Sequence, residues 1–227
     1  MPLLTVFRPF GHAVFGVWLI AEEETFFSEK MELSARERQE LEGYRPGSLR
    51  RSEWWAARYL LHMLSASAQR LPLAKDAFSK PFIAGKNDIH CSLSHSGGAV
   101  GALLAPVNCG CDIQVCAPKT LRLAPRFLNA DELTALQNAD ADARADLAHA
   151  YWTAKESLYK LWGLKGLDFR RDIRVWDPSI GAGADFEGEV AGGGRILRAR
   201  LTARKMTLPN DSALICTACV EAGSGAP

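Results

Sequence analysis

The 227-residue sequence predicts an α+β fold, on three observations. Residues 49–66 and 146–162 carry apolar side chains at helical spacing. Each of these segments is preceded by a capping-box pattern and followed by short β-branched or alternating runs that read as strands. The two long helical segments also align without gaps, Trp54-Trp55-Ala56-Ala57-Arg58 over Tyr151-Trp152-Thr153-Ala154-Lys155, and Leu61 and Leu64 over Leu158 and Leu161. This order predicts a duplicated unit: halves at 1–106 and 107–227, related by a pseudo-twofold axis, with the active site in the cleft between them.

The apolar run at 12–21 is too short to span a bilayer, is followed at once by Glu22, Glu23 and Glu24, and reads as a strand. Ser34 and Glu37 have capping-box spacing, so a helix is expected over 34–42, ending near Gly43. After a turn at 44–48 comes the longer helix 49–66, with Trp54, Ala57, Leu61 and Leu64 on one side and Arg50, Arg51 and Arg58 as its cations. Residues 90–105 read as strands. Asn129 and Glu132 then repeat the capping box, and the second long helix runs over 146–162. Residues 196–203 and 213–221 are strand-like, residues 181–194 a mobile loop or hairpin, and the tail from 221 on is expected to fray.

Composition narrows the function classes. With 48% apolar and 23% charged residues the chain reads as a soluble globular protein with a true core. The net charge of +1 lacks the broad basic footprint of a nucleic-acid binder but leaves room for a local basic pocket. No signal peptide or membrane span is evident, which predicts a cytoplasmic protein. The six cysteines are then thiols. Cys109, Cys111, Cys216 and Cys219 offer a zinc arrangement as one reading and buried small hydrophobes as the other.

Three segments could carry chemistry. In the helix at 146–162, Tyr151, Ala154, Leu158 and Leu161 share one face, which places Trp152, Glu156 and Lys160 along another; as an exposed pair, Glu156 and Lys160 would contribute only a few tenths of a kcal/mol. Gly110-Cys111-Asp112-Ile113-Gln114 follows a turn and alternates as a strand does, so Asp112 and Gln114 point the same way. Ser92-Leu93-Ser94-His95-Ser96-Gly97-Gly98 sets hydroxyls and an imidazole before two glycines, which reads either as a phosphate-binding corner or as a polar turn between strands. A serine–histidine dyad is disfavoured, because Ser94 and His95 point to opposite faces of a strand.

Gly110-Cys111-Asp112-Ile113-Gln114 and Trp152-Thr153-Ala154-Lys155-Glu156-Ser157-Leu158-Tyr159-Lys160 resemble the two signatures of 4'-phosphopantetheinyl transferases of the surfactin-synthetase-activating type. Ser79-Lys80-Pro81, Ser94-His95-Ser96 and Lys165-Gly166-Leu167 resemble further motifs of that family, in its order. Arg50-Arg51, Glu53 and Arg58 resemble the siderophore-synthesis (enterobactin synthetase component D-like) subgroup. There are departures: Ala57 and Ser79 stand where glycine is usual, and Gln114 where many relatives carry a metal-binding glutamate.

The resemblance implies a monomeric enzyme that transfers the 4'-phosphopantetheine group of coenzyme A to a serine of an acyl or peptidyl carrier protein, releasing 3',5'-ADP. It implies Mg²⁺ held by Asp112 and Glu156, with Gln114 a weaker ligand. Glu156 would also be the base, and Lys160 a donor to the phosphates or the leaving group. Coenzyme A would be bound by Arg51, Arg58, Lys80, Ser94, His95 and Lys155, with Arg50 able to substitute among the cations. The rival readings are a metal-dependent phosphohydrolase, an inactive coenzyme A-binding protein and a plain interaction domain.

Overall fold

Two sheets, each antiparallel throughout and each packed against one long helix, organise the computed structural model, which describes residues 3–223. It divides into two compact units, Met1–Val107 and Asn108–Pro227. With six helices, the α+β class expected from the sequence is the class observed. Among the described residues no helix is long and apolar enough to cross a membrane.

The first unit runs β1 (Leu3–Phe7), β2 (Val14–Leu19), α1 (Glu24–Ser28), α2 (Ala35–Glu42), α3 (Leu49–Ser65), β3 (Leu73–Lys75), β4 (Pro81–Ile83), β5 (His90–Ser96) and β6 (Ala99–Ala105). Its main sheet has the order β1-β2-β6-β5. Trp54, Leu60 and Leu61 of α3 enter one core cluster with Trp18, Val100, Ala102 and Leu104 of the sheet. β5 and β6 join through Gly97 and Gly98, at φ 58° and 81°. Two consecutive positive φ angles suit a tight hairpin turn and suit glycine. The turn alone accounts for this glycine pair.

The second unit runs β7 (Cys109–Val115), α4 (Pro118–Phe127), α5 (Ala130–Asn138), α6 (Arg144–Trp162), β8 (Ile173–Trp176), β9 (Asp185–Gly192), β10 (Arg195–Thr207) and β11 (Ala213–Glu221). The sheet order is β7-β11-β10-β9-β8. Tyr151, Ala154, Leu158 and Leu161, the apolar face read from the sequence, all enter its core with Val190, Leu201 and Cys219. The glycine-rich stretch expected as a loop or hairpin is a hairpin, since β9 occupies most of it and Gly193 and Gly194 make the turn into β10. Glu221 does not fray: it ends β11, paired with Ala199. The rest of the expected fraying tail, from residue 224, lies outside the described residues.

Both capping boxes form, and in each the glutamate does more than cap. Glu37 accepts from the Ser34 N–H, from the Leu73 N–H that begins β3, and from Arg70, and it lies 3.5 Å from the Arg58 Nε. Glu132 accepts from the Asn129 N–H, from the Val175 N–H of β8, and from the Lys155 ammonium. In each unit a buried carboxylate therefore ties a short helix, a strand and a cation of the long helix together. The cations are Arg58 and Lys155, the two positions that superpose in the sequence alignment. The two units share this one arrangement.

Burial opposes ionisation of Glu37, but hydrogen bonds from Arg70 and from the Ser34 and Leu73 backbone outweigh it and hold the carboxyl at about 2, below the usual 4.5. A depressed folded-state pKa means that the stabilisation is fully present above the unfolded value and is lost as pH falls through the folded one. Unfolding followed by urea titration should therefore show stability falling between pH 4.5 and about 2. The Glu37 share is on the order of 3 kcal/mol. Glu37→Gln should be less stable at pH 7 and flatter across that window; an equally steep acid loss in the variant would assign the effect to other carboxylates.

Candidate functional site

The position of α6 over β7 is set by a glycine. A Cβ built on Gly110 would lie 2.0 Å from the Ser157 carbonyl oxygen and 2.8 Å from the Leu161 nitrogen, so only a residue without a side chain lets the helix backbone descend this far. Along the same helix face, the Thr153 hydroxyl meets that of Thr217 on β11 at 2.7 Å, and Ser157 donates to the carbonyls of Thr153 and Thr217. Asn108, just before β7, donates to the Leu161 carbonyl near the helix end. Gly163, at φ 77°, closes the helix with its N–H on the Tyr159 carbonyl, the left-handed cap for which glycine is suited.

This close approach brings together the acidic residues that the sequence singled out. Asp112 of β7 is buried, and its Oδ1 accepts from the Lys160 ammonium at 2.8 Å; the same ammonium donates to the Cys111 carbonyl at 2.9 Å. Glu156, one turn before Lys160, is partly buried. Burial first, and then the Asp112 charge, push its carboxyl up to about 7 against the opposing pull of Lys160. Two carboxylates with one ammonium make a cluster short of positive charge. Gln114, on the Asp112 face of β7, donates its amide to the Val115 carbonyl, a bond that does not use its side-chain oxygen.

Lys155 has a different role from the expected cofactor cation. Its ammonium is fully buried and donates to the Phe169 and Ile173 carbonyls and to Glu132, each at 2.7 Å. An ammonium has three donors, and all three are used inside the fold.

In the first unit the expected cations separate in the same way. Arg51 makes a two-pronged pair with Glu24 and donates to the Leu41 and Tyr44 carbonyls. Arg58, 5% exposed, stacks on the Trp54 ring 3.5 Å from its centroid and pairs with Glu40. Both guanidiniums brace α3 internally. Arg50, which the sequence offered only as a substitute, is exposed and lies against the His95 ring, whose Nδ1 is 3.1 Å from the buried Glu53 carboxylate. Helical spacing could not separate these cations, since residue 50 lies one turn before Trp54, in phase with the buried Ala57 and Leu61, and residues 51 and 58 are in phase with the buried Trp55. Ser94 is buried and His95 faces outward, as strand alternation requires.

Lys80 is partly buried at the end of the β3–β4 turn, where Asp76 accepts from the Phe78 and Lys80 N–H groups. Ser79 in that turn has φ 74°, the left-handed conformation that favours the glycine it replaces. Cys109, Cys111, Cys216 and Cys219 are buried thiols with no shared zinc site among the described residues. Register sets Cys219 opposite Gly110, so it points away from the face that carries Cys109 and Cys111. Among the described residues no group of three or more His, Cys, Asp or Glu side chains is placed to hold a metal ion.

Comparison with known proteins bears on this same unit. Residues 108–202 match the sequence model of the 4'-phosphopantetheinyl transferase superfamily. Over 95 residues the chain is 34% identical to a 4'-phosphopantetheinyl transferase of Bacillus subtilis, covering 42% of each protein. It is 35% identical over 95 residues to 4'-phosphopantetheinyl transferase Sfp of Bacillus subtilis strain 168, again covering 42% of each. It is 29% identical over 113 residues to 4'-phosphopantetheinyl transferase psf-1 of Bacillus pumilus, covering 49% of this chain and 48% of that one. Each alignment thus spans less than half of the relative's length.

The Gly110 contact can be tested directly. Gly110→Ala has no conformational penalty to confuse the result, since its φ is not left-handed, and the steric clash should cost about 3 kcal/mol of stability. Urea denaturation monitored by tryptophan fluorescence measures it. A loss below about 0.5 kcal/mol, the size of an indifferent substitution, would mean that α6 is free to lift.

Proposed function

We propose that the chain is a 4'-phosphopantetheinyl transferase that moves the phosphopantetheine arm of coenzyme A onto a serine of an acyl or peptidyl carrier protein. The observation that carries the reading is the Asp112–Glu156–Lys160 group, built by β7 and α6 inside the segment that matches the superfamily. A plain interaction domain would have no reason to bury two mutually repelling carboxylates around one ammonium.

The donor set fits Mg²⁺. Two carboxylates and an amide oxygen are hard ligands, and Mg²⁺ accepts a few protein oxygens while keeping water and phosphate in its other positions. Asp112 and Glu156 would hold the ion, with Gln114 able to contribute its side-chain oxygen directly or through water. When bound, Mg²⁺ would supply charge neutralisation for a diphosphate.

In the proposed reaction the serine hydroxyl oxygen forms a bond to the β-phosphorus of coenzyme A as the bridging phosphorus–oxygen bond breaks, and 3',5'-ADP departs with that electron pair. Glu156 would take the serine proton, directly or through one water. Lys160, held against Asp112, offers its ammonium to phosphate oxygens as charge moves onto the leaving group. Lys155 holds the helix in place, and the signature lysine beside Glu156 is thereby assigned to structure.

Among the first-unit groups expected to bind coenzyme A, Arg51 and Arg58 have their guanidiniums held by internal partners, whereas Arg50 and His95 lie at the surface beside Glu53. The Arg50-Arg51, Glu53 and Arg58 pattern supports the siderophore-synthesis subgroup, with the pattern divided between a binding surface and a structural brace.

The test is the intact mass of a purified apo carrier protein after incubation with this protein, coenzyme A and Mg²⁺. A phosphopantetheine-sized gain that disappears with EDTA is expected. Glu156→Gln should lower the rate at least about a hundredfold while retaining the wild-type circular dichroism spectrum. Consumption of coenzyme A without carrier modification would replace the proposal with a phosphohydrolase, and coenzyme A binding without turnover across several carriers would replace it with an inactive binder.

A further inference from the structure

We infer that Thr217, on β11, is a positioning residue for the Asp112–Glu156 metal site, an inference that rests on the function proposed above. Thr217 is the cross-strand partner of Asp112, and paired residues in an antiparallel sheet project to the same face. It lies beyond the 108–202 segment that matches the superfamily. It is fully buried.

The hydrogen bonds give this hydroxyl a defined task. Thr153 Oγ1 donates to the His149 carbonyl at 2.9 Å, which uses its single proton. Either hydroxyl could donate in the 2.7 Å contact between Thr153 and Thr217, and with the Thr153 proton on His149 the donor is Thr217. The Ser157 hydroxyl adds a bond to the Thr217 backbone carbonyl at 3.2 Å. Thr153 and Ser157 flank Glu156 on α6, three residues before it and one after.

Two oxygens at 2.7 Å stand much closer than two apolar carbons, which touch at about 4 Å. The hydroxyl pair therefore lets the helix sit lower on the sheet than an apolar pair of the same size would. It does so beside Gly110, where the backbones themselves approach. Lifting α6 moves Glu156 away from Asp112, and a cation held by both loses ligand geometry before the helix loses its fold. Thr217 thus acts through α6 and need not touch metal or substrate.

The test is Mn²⁺ binding to the full chain, followed by electron paramagnetic resonance of the free ion, with the Mg²⁺ dependence of transfer measured alongside. Thr217→Val keeps the shape and removes the hydroxyl, and it should weaken Mn²⁺ binding roughly tenfold, the low end of the effect of residues that orient metal ligands. It should raise the Mg²⁺ concentration for half-maximal rate by a similar factor while kcat at saturating Mg²⁺ changes less. Thr217→Ser should restore wild-type binding. If the valine variant does not fold, Thr217→Ala removes the same donor without adding bulk and should show the same loss. Wild-type Mn²⁺ affinity in folded valine or alanine variants, or a serine variant as weak as these, would assign Thr217 to stability alone and overturn the inference. Failure of the wild-type chain to bind Mn²⁺ would overturn the metal-site reading, and this inference with it.

Discussion

The second unit depends on a missing side chain. Because Gly110 presents only backbone to α6, Ser157 and Leu161 sit where any Cβ would collide. The consequences run outward from there. Asp112, two residues along the strand, is carried beneath the helix, and Lys160 reaches it with a direct hydrogen bond. Glu156 is brought near enough for the Asp112 charge to help push its carboxyl up to about 7. The two sequence signatures are thus the two sides of one interface: the glycine of the first makes room for the helix that carries the second.

Around that interface the fold uses charge economically. Each unit buries a capping-box glutamate beside a cation from its long helix, Arg58 in one, where Arg70 makes the closer pair, and Lys155 in the other. Breaking either pair would leave an uncompensated charge in the core, which costs far more than the pair gains over apolar packing. These cations are committed to architecture. Lys160 sits beside the carboxylates of the second unit, and Arg50 lies against His95 at the surface of the first.

Much of this was legible in the sequence, and the failures have a common cause. Helices 49–66 and 146–162 were readable because apolar periodicity and capping boxes are local signals, whereas strand alternation and helical phase gave Asp112 and Glu156 their faces and only the family resemblance joined them as a pair. Helix α4 escaped notice because Pro118 and Pro125 obscure its pattern; the first sits at the helix start, where proline is accommodated. Roles of cations were the hardest to read. Arg51, Arg58 and Lys155 look like ligand residues in isolation, and only the long-range partners Glu24, Glu37, Glu40 and Glu132 show that they are held inside. Those partners lie 18 to 27 residues away, beyond the reach of any local pattern. The alignment of Arg58 with Lys155, each following a capping-box glutamate by 21 or 23 residues, was the available clue. Gly97 and Gly98, likewise, are explained by a hairpin turn as fully as by an anion.

The account separates holding coenzyme A through its outlying phosphate from holding its diphosphate through a metal ion. Calorimetric titration of coenzyme A into wild-type protein and Asp112→Asn, each with and without Mg²⁺, tests that separation most directly. The account predicts that Mg²⁺ tightens binding to the wild type, that the variant loses this increment, and that the two proteins bind equally in the absence of metal. An undiminished Mg²⁺ increment in Asp112→Asn would contradict it, because the ion would then be held by something other than the carboxylates that β7 and α6 bring together.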